Sequence, residues 1–444
     1  MAPVKVVLAL GLGLLVATPV GASAPRLIVE NNVAVSRAQF PQSEVRVALD
    51  PSDSSVLVAG SNSSGERAMR VYGSTDGGAS WSSDTLPAQP FKPNDLCIAD
   101  PAVAIDGDGR QFFAFIRAQP CSRGESGIFL ASRPDRASRW TLSETPGFEP
   151  LSTGSFDDNP WLSADSSPQS PHFNRLYLAW FRYGETGEIG LLLSYSDDHG
   201  RSWSLPVRVN DEGVSDGYPS IAISATGNVY VAWHDFGQRR IKLDVSTDGG
   251  RTFATDRSIR VRVRDEPGCP NGVSIPAQPR RCVRSDPTII ASPRWIYLTY
   301  SDSAKNFSQD VFVAAFDSAL RLRSGFPRRI NQAERRARDQ FWPTAAFDSV
   351  RQVLWVCFYD TRAHLRRTRA WYSCSTSKDG RLWSQPVAVA SVGSDESTRF
   401  ADSGEFGDYE GLAVTDGVAH PTWTDSRDLR THAEEIYTAR VRER

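Results

Sequence analysis

Apolar residues along this chain come in bursts of four to seven, alternating or continuous, that stop at Gly, Asp, Asn or Ser. Bursts of that length bounded by turn formers predict β-strands joined as hairpins. Seven segments repeat one shape: an acidic residue, often a Pro, a short apolar strand, a turn, and a second strand rich in aromatics. They are EVRVALDPSDSSVLVAGSN (44–62), DPAVAIDGDGRQFFAFIR (100–117), DNPWLSADSSPQSPHFNRLYLAWFR (158–182), DGYPSIAISATGNVYVAWHD (216–235), DPTIIASPRWIYLTYSD (286–302), DQFWPTAAFDSVRQVLWVCFYDTR (339–362) and DYEGLAVTDGVAHPTWTDSR (408–427).

A shorter repeat follows these hairpins: STDGGASW (74–81), SDDHGRSW (196–203), STDGGRTF (246–253) and, one residue shorter, SKDGRLW (377–383), with Asp76, Asp198, Asp248 and Asp379 in equivalent places. RPDRASRW, around Asp135, is a decayed copy, and the segment around Asp317 has lost its Gly and Trp. A period of about 50–70 residues is the range of propeller blades. Each unit then reads as four antiparallel strands, the fourth often with a Pro lead-in: LPVRVN (205–210), FPRRIN (326–331) and QPVAVA (385–390). The seventh unit runs out of chain after three strands, and APRLIVENN (24–32) has the shape of the missing one. The expected architecture is all-β, a seven-bladed β-propeller closed by its N-terminal strand, in one domain over residues 23–444. Six blades is the alternative, because the 44–62 hairpin carries the weakest signature.

The octet's composition is explained by structure. The Asp carboxylate accepts from N–H groups of its own tight turn, a Gly supplies positive φ, and a Ser two residues earlier bonds the same loop. The terminal Trp or Phe folds into the gap between blades, burying roughly 150–250 Å². Chain order puts this turn between strands three and four, on the opposite rim from the loops that lead into strand one. The octet resembles the Asp box, or BNR repeat, of the sialidase superfamily. The resemblance implies an Asp-box propeller acting on carbohydrate as a glycoside hydrolase, with a glycan- or protein-binding propeller without catalysis as the alternative.

Function is therefore sought on the other rim, where an acid precedes strand one of every unit: Glu44, Asp100, Asp158, Asp216, Asp286, Asp339 and Asp408. Leaving strand two come Arg117, Arg182, His234, Asp302, Asp360 with Arg362, and Asp425 with Arg427. The aromatics Trp161, Tyr218, Trp342 and Tyr409 join them. Carboxylates accept from sugar hydroxyls and Arg recognises acidic groups bidentately. Converging carboxylates at a channel mouth would also suit Ca²⁺. The structural reading, in which each acid caps its own turn or pairs with an Arg, competes at every position. The sialidase resemblance implies three Arg around a sialic acid carboxylate, a Tyr nucleophile with a Glu, and an Asp acid/base. Arg117, Arg182, Arg362 and Arg427 are the candidates for the first role. Tyr409, Glu410, Asp408 and Asp360 are the candidates for the others. The superfamily's F/Y-R-I-P motif is absent; the nearest Arg, Arg46, reads as out of frame.

Composition adds little against this picture. Hydrophobic residues make up 40% of 444, with twelve Trp, enough for a large core, and a net charge of −2 gives no reason to expect a nucleic-acid partner. Lys5, the apolar run over residues 6–20 and small residues ending at Ala22 read as a secretory signal, residues 1–22, so export and a monomer without a membrane span are expected. Six Cys agree with an oxidising compartment. Three local pairings are expected: Cys97 with Cys121, Cys269 with Cys282, and Cys357 with Cys374.

Overall fold

A computed structural model describes residues 26–444 apart from 65–68, 87–96, 120–124, 150–154, 185–188, 214–216, 263–268, 270–271, 304–307, 332–336, 399–405 and 430–433. The expected leader and Asp216 lie outside the described residues, as does Cys121.

Six sheets of four antiparallel strands follow one another along the chain, and a seventh of six strands holds both termini. Their first strands are Gln42–Leu49, Cys97–Ile105, Phe156–Ala164, Ser220–Ile223, Thr288–Ala291, Gln340–Asp348 and Gly411–Thr415. These strands touch in cyclic order, the seventh returning to the first, and so enclose a central channel. The molecule is a seven-bladed β-propeller, and the six-bladed alternative falls: the 44–62 hairpin forms a full blade. The Pro-led segments supply short outer strands, Val207–Arg208, Arg328–Arg329 and Val387–Ala388.

Seven hydrophobic clusters fill the seven gaps between neighbouring blades. The aromatic that ends each Asp box, Trp81, Trp203, Phe253 or Trp383, packs against one of them. In the first box the Ser74 hydroxyl donates to Asp76 at 2.8 Å and accepts from Gly78 N at 2.9 Å, while Ser80 donates twice to Asp76. Gly78 has φ +79°, a conformation an L side chain rarely adopts. The same bonds recur around Asp198 and Asp248.

Ring closure uses both termini. Val33–Ala34 pairs with Glu435–Thr438 as the outer strand of blade seven, and Leu27–Val29 pairs with Val441–Glu443. Two disulfides form as expected, Cys269–Cys282 and Cys357–Cys374, the second between facing residues of adjacent strands in blade six. The third expected pair falls outside the described residues. One insertion interrupts the repeat: a hairpin of Val273–Ile275 and Gln278–Val283 between blades four and five.

Candidate functional site at the channel mouth

The start of the first strand is irregular in four blades. The ladder shifts between Ser43 and Arg46, Ala99 and Ala102, Asp158 and Trp161, and Phe341 and Thr344. Each shift holds a non-glycine residue at positive φ: Glu44 (57°), Asp100 (58°), Asn159 (54°) and Trp342 (49°). Such bulges re-aim side chains, and the left-handed conformation costs about 1–3 kcal/mol apiece. Counting back from the first regular pair in every blade, the equivalent positions are Glu44, Asp100, Asn159, Tyr218, Asp286, Trp342 and Tyr409. The mouth is therefore a mixed ring. Asp158 and Asp408 stand one residue before the ring position and Asp339 three before it; in blades three and six the extra residue of the bulge conceals the offset in the sequence.

Arg46 lies at the centre. It stands in the channel between Trp161 of blade three and Tyr409 of blade seven, with its guanidinium carbon 4.1 Å from each ring centroid. Among the described residues it makes no hydrogen bond and no ion pair; the two aromatic faces are its partners. Burial lowers its pKa against the pull of Tyr409, Glu44 and Glu410. By sequence Arg46 reads as out of frame with the F/Y-R-I-P motif; the structure places its side chain in the channel.

The inserted hairpin crosses the mouth. Gln278 accepts from Trp342 Nε1 (3.2 Å) and donates to Gly407 O (3.3 Å), so it rests on blades six and seven. Next to it, Arg281 bridges Glu44 (2.8 Å) and Asp408 (3.0 Å). Arg284 reaches Asp408 (2.8 Å) and the Tyr218 hydroxyl (2.7 Å), and Tyr218 donates to the same carboxylate at 2.6 Å. Asp100 shares a hydrogen bond with Asp158, and the Tyr409 hydroxyl stands 3.4 Å from it. Among the described residues Asp286 receives no hydrogen bond on either oxygen; Arg284 Nε lies 3.5 Å and His234 Nδ1 3.7 Å from it.

The titrations divide accordingly. Burial pushes Glu44 up to about 7 against Arg281, and raises Asp100 well above the carboxylate range with help from Asp158. Asp408 goes down, since Arg284 and Arg281 outweigh its burial. Glu410 is raised by burial although it accepts from Tyr359 and Thr424 N. The phenol of Tyr409 is raised by burial and by the acids Asp100 and Glu44.

Two cavities meet at Arg46. On the side of the mouth a space of about 20 Å³ is lined by Tyr218, Asp286, Trp342, Asp408 and Tyr409. Below it a cavity of about 390 Å³ follows the channel, walled by Leu49, Ile105, Leu162, Ile221, Ile289 and Leu412. Among the described residues no group of three or more His, Cys, Asp or Glu is arranged to hold a metal ion. At the mouth, guanidinium groups stand against the carboxylates that Ca²⁺ would need.

No protein-family profile and no curated protein matches the sequence. Solved structures match by fold. An intramolecular trans-sialidase from Ruminococcus gnavus superposes with a TM-score of 0.52 at 10% identity, over 80% of this chain and 96% of that one. A leech intramolecular trans-sialidase gives 0.50 at 10% identity, over 74% and 67%. The chain has a sialidase-like propeller fold. A Hadza microbial sialidase, of which it spans 66%, gives a TM-score of 0.49 at 15% identity, over 79% of this chain.

In this sialidase-like propeller the expected site residues separate into two groups. Asp100, Asp158, Asp286, Asp408 and Tyr409 converge at the mouth. The arginines leaving strand two do not: Arg182 is clamped by Asp157 (2.8 Å), Arg427 by Asp425 (2.7 Å) and Arg362 by Asp360, all toward the periphery. Arg117 packs over the Phe129 ring at 5.3 Å. Asp339 is buried and accepts from Gln309 N. Glu410 turns from Tyr409 to Tyr359. Sequence reasoning missed Arg46, Arg281 and Arg284; the insertion that bears the last two breaks the repeat, and that break was the available signal.

Proposed function

We propose that this sialidase-like propeller binds an acidic sugar at Arg46 without hydrolysing it. The observation that carries this reading is the Arg46 guanidinium, held by two aromatic faces and unmatched by any carboxylate among the described residues. Rings on both faces leave the edge of the guanidinium, with its forked N–H donors, for a carboxylate. The cavity of about 390 Å³ beside it is within the size range of small-ligand sites. Hydrolysis would need a lowered phenol pKa or a free acid and base. Here the Tyr409 phenol is raised, and of the acids around it Asp100 is hydrogen-bonded to Asp158, Glu410 is engaged by Tyr359, and Glu44 and Asp408 are held by arginines. The trans-sialidases of like fold support a sialic acid as the first ligand to try.

A glycoside hydrolase is the second reading, favoured by the Tyr409–Asp100 approach and by a Glu44 that titrates near neutrality. Calorimetric titration with 3′-sialyllactose tests both, followed by assay of the same mixture for free sialic acid. Binding that weakens about tenfold or more in Arg46→Met, with no turnover, is expected. Turnover that disappears in Tyr409→Phe would establish the hydrolase instead, and wild-type binding unaffected by Arg46→Met would refute the proposal.

A further inference from the structure

The outer upper edge of blade six carries a depression of about 450 Å³ that the mouth does not use, lined by Asp360, Arg362, Ala363, Trp371, Ser373, Pro386 and Ala388. Trp371 opens strand Trp371–Ser377, and the outer strand of this blade is just Val387–Ala388, paired to Cys374 and Ser373. The short outer strand leaves the half-buried indole open on that side. From behind, the backbone at Gly393 lies against it: a Cβ there would come within 2.7 Å of indole carbons. The ring is thus fixed as a plate, and the small side chains of Ala363 and Ala388 leave room in front of it.

Polar groups stand at the edge of the plate. Asp360 accepts from Gln340 Nε2 (2.9 Å), Arg362 N (2.9 Å) and Arg362 Nε, which orients both partners. The Arg362 guanidinium spends Nε on that contact, and its two terminal NH₂ groups carry no hydrogen bond among the described residues. The lining therefore offers an apolar plate, spare donors, carboxylate and hydroxyl acceptors, and no net charge, since the one cation faces the one anion. A pyranose ring has the matching form: an apolar face of C–H groups and a rim of hydroxyls that both donate and accept. An anionic sugar would find Arg362 already neutralised by Asp360.

We propose that this depression is a second carbohydrate site, which takes one neutral pyranose residue stacked on Trp371. It is separate from the mouth and does not depend on Arg46. Isothermal titration of the full chain with lactose, cellobiose and maltose tests it. At least one of the three binds at millimolar concentration; Trp371→Ala weakens it about tenfold or more, as loss of an aromatic anchor does, while Trp371→Phe keeps most of it. Ala388→Phe fills the depression from the exposed outer strand without touching the core, and abolishes binding even if Trp371→Ala proves unstable. Arg46→Met leaves this titration unchanged, so failure at the mouth and failure here are distinguishable. The proposal is overturned if none of the three binds, if Ala388→Phe binds like wild type, if a folded Trp371→Ala binds like wild type, or if only sulfated or uronic acid disaccharides respond to these variants.

Discussion

Asp248 and Asp244 stand four residues apart in blade four and titrate in opposite directions. Asp248 is in an Asp box, where the hydroxyls of Thr252 and Ser246 and two backbone N–H groups outweigh burial and hold it down to about 2. Asp244 is buried, accepts from Val245 N, and lies near Asp256 and Asp211; burial first and those charges second push it up to about 7. The unfolded chain titrates both near 3.8. Stability from Asp248 is therefore complete above about pH 4 and lost as pH falls through 2. Stability from Asp244 is complete below 3.8 and lost as pH rises through about 7. Asp248→Asn should lower the urea midpoint most above pH 4, with the gap to wild type closing toward pH 2. Asp244→Asn should gain on wild type between pH 4 and pH 8, by on the order of 2 kcal/mol at the upper end. Urea titrations at pH 3, 5 and 8 check both signs.

Four of the seven blades bulge at the start of the inner strand, at Glu44, Asp100, Asn159 and Trp342, and those irregularities mark the mouth. The strand that closes the ring is the most exposed to test. Its backbone bonds include Arg26 N to Arg444 O, Glu30 N to Arg440 O and Val35 N to Ile436 O. Removing residues 26–35 takes these and the two strand pairings away, a loss on the order of 5 kcal/mol at a net 0.5–1.5 per bond. A fall in melting temperature, with earlier proteolysis of blade seven, is the expected result in limited digestion and calorimetry. The disulfide joining Cys357 to Cys374 sits inside a well-packed blade. Its removal by a double Ala substitution should cost about 2–4 kcal/mol, readable as a shift in urea midpoint.

Over the whole molecule the blades share seven clusters in a closed circle, so none can unfold without exposing two neighbours. Calorimetry should show one cooperative transition, and two if the clasp is deleted. Much of this scale was legible beforehand. The hairpins, the boxes, the Pro-led outer strands and the N-terminal clasp are local patterns repeated at a near-constant period, and periodicity survives small errors of register. The mouth was less legible. Arg362 and Arg427 recur two residues after an acid that each clamps, and Arg182 clamps Asp157 on the paired strand, so a structural pairing resembles a functional one. Asp360 was drawn in for the same reason.

The chain's own pattern of apolar bursts and turn residues determined the blade, the number of blades and the way the ring is tied, because those depend on neighbours along the sequence. Tertiary structure decided which side chains meet at the centre. Arg46, Asp100, Trp161, Arg281 and Tyr409 come from four blades and an insertion, and they converge after the circle has closed. A one-residue bulge changes which residues pair and which way they point, and the extra residue at Glu44 stands two positions before Arg46. No spacing rule in the sequence records that shift, since it is set by how the strand must bend to meet its partners around the ring.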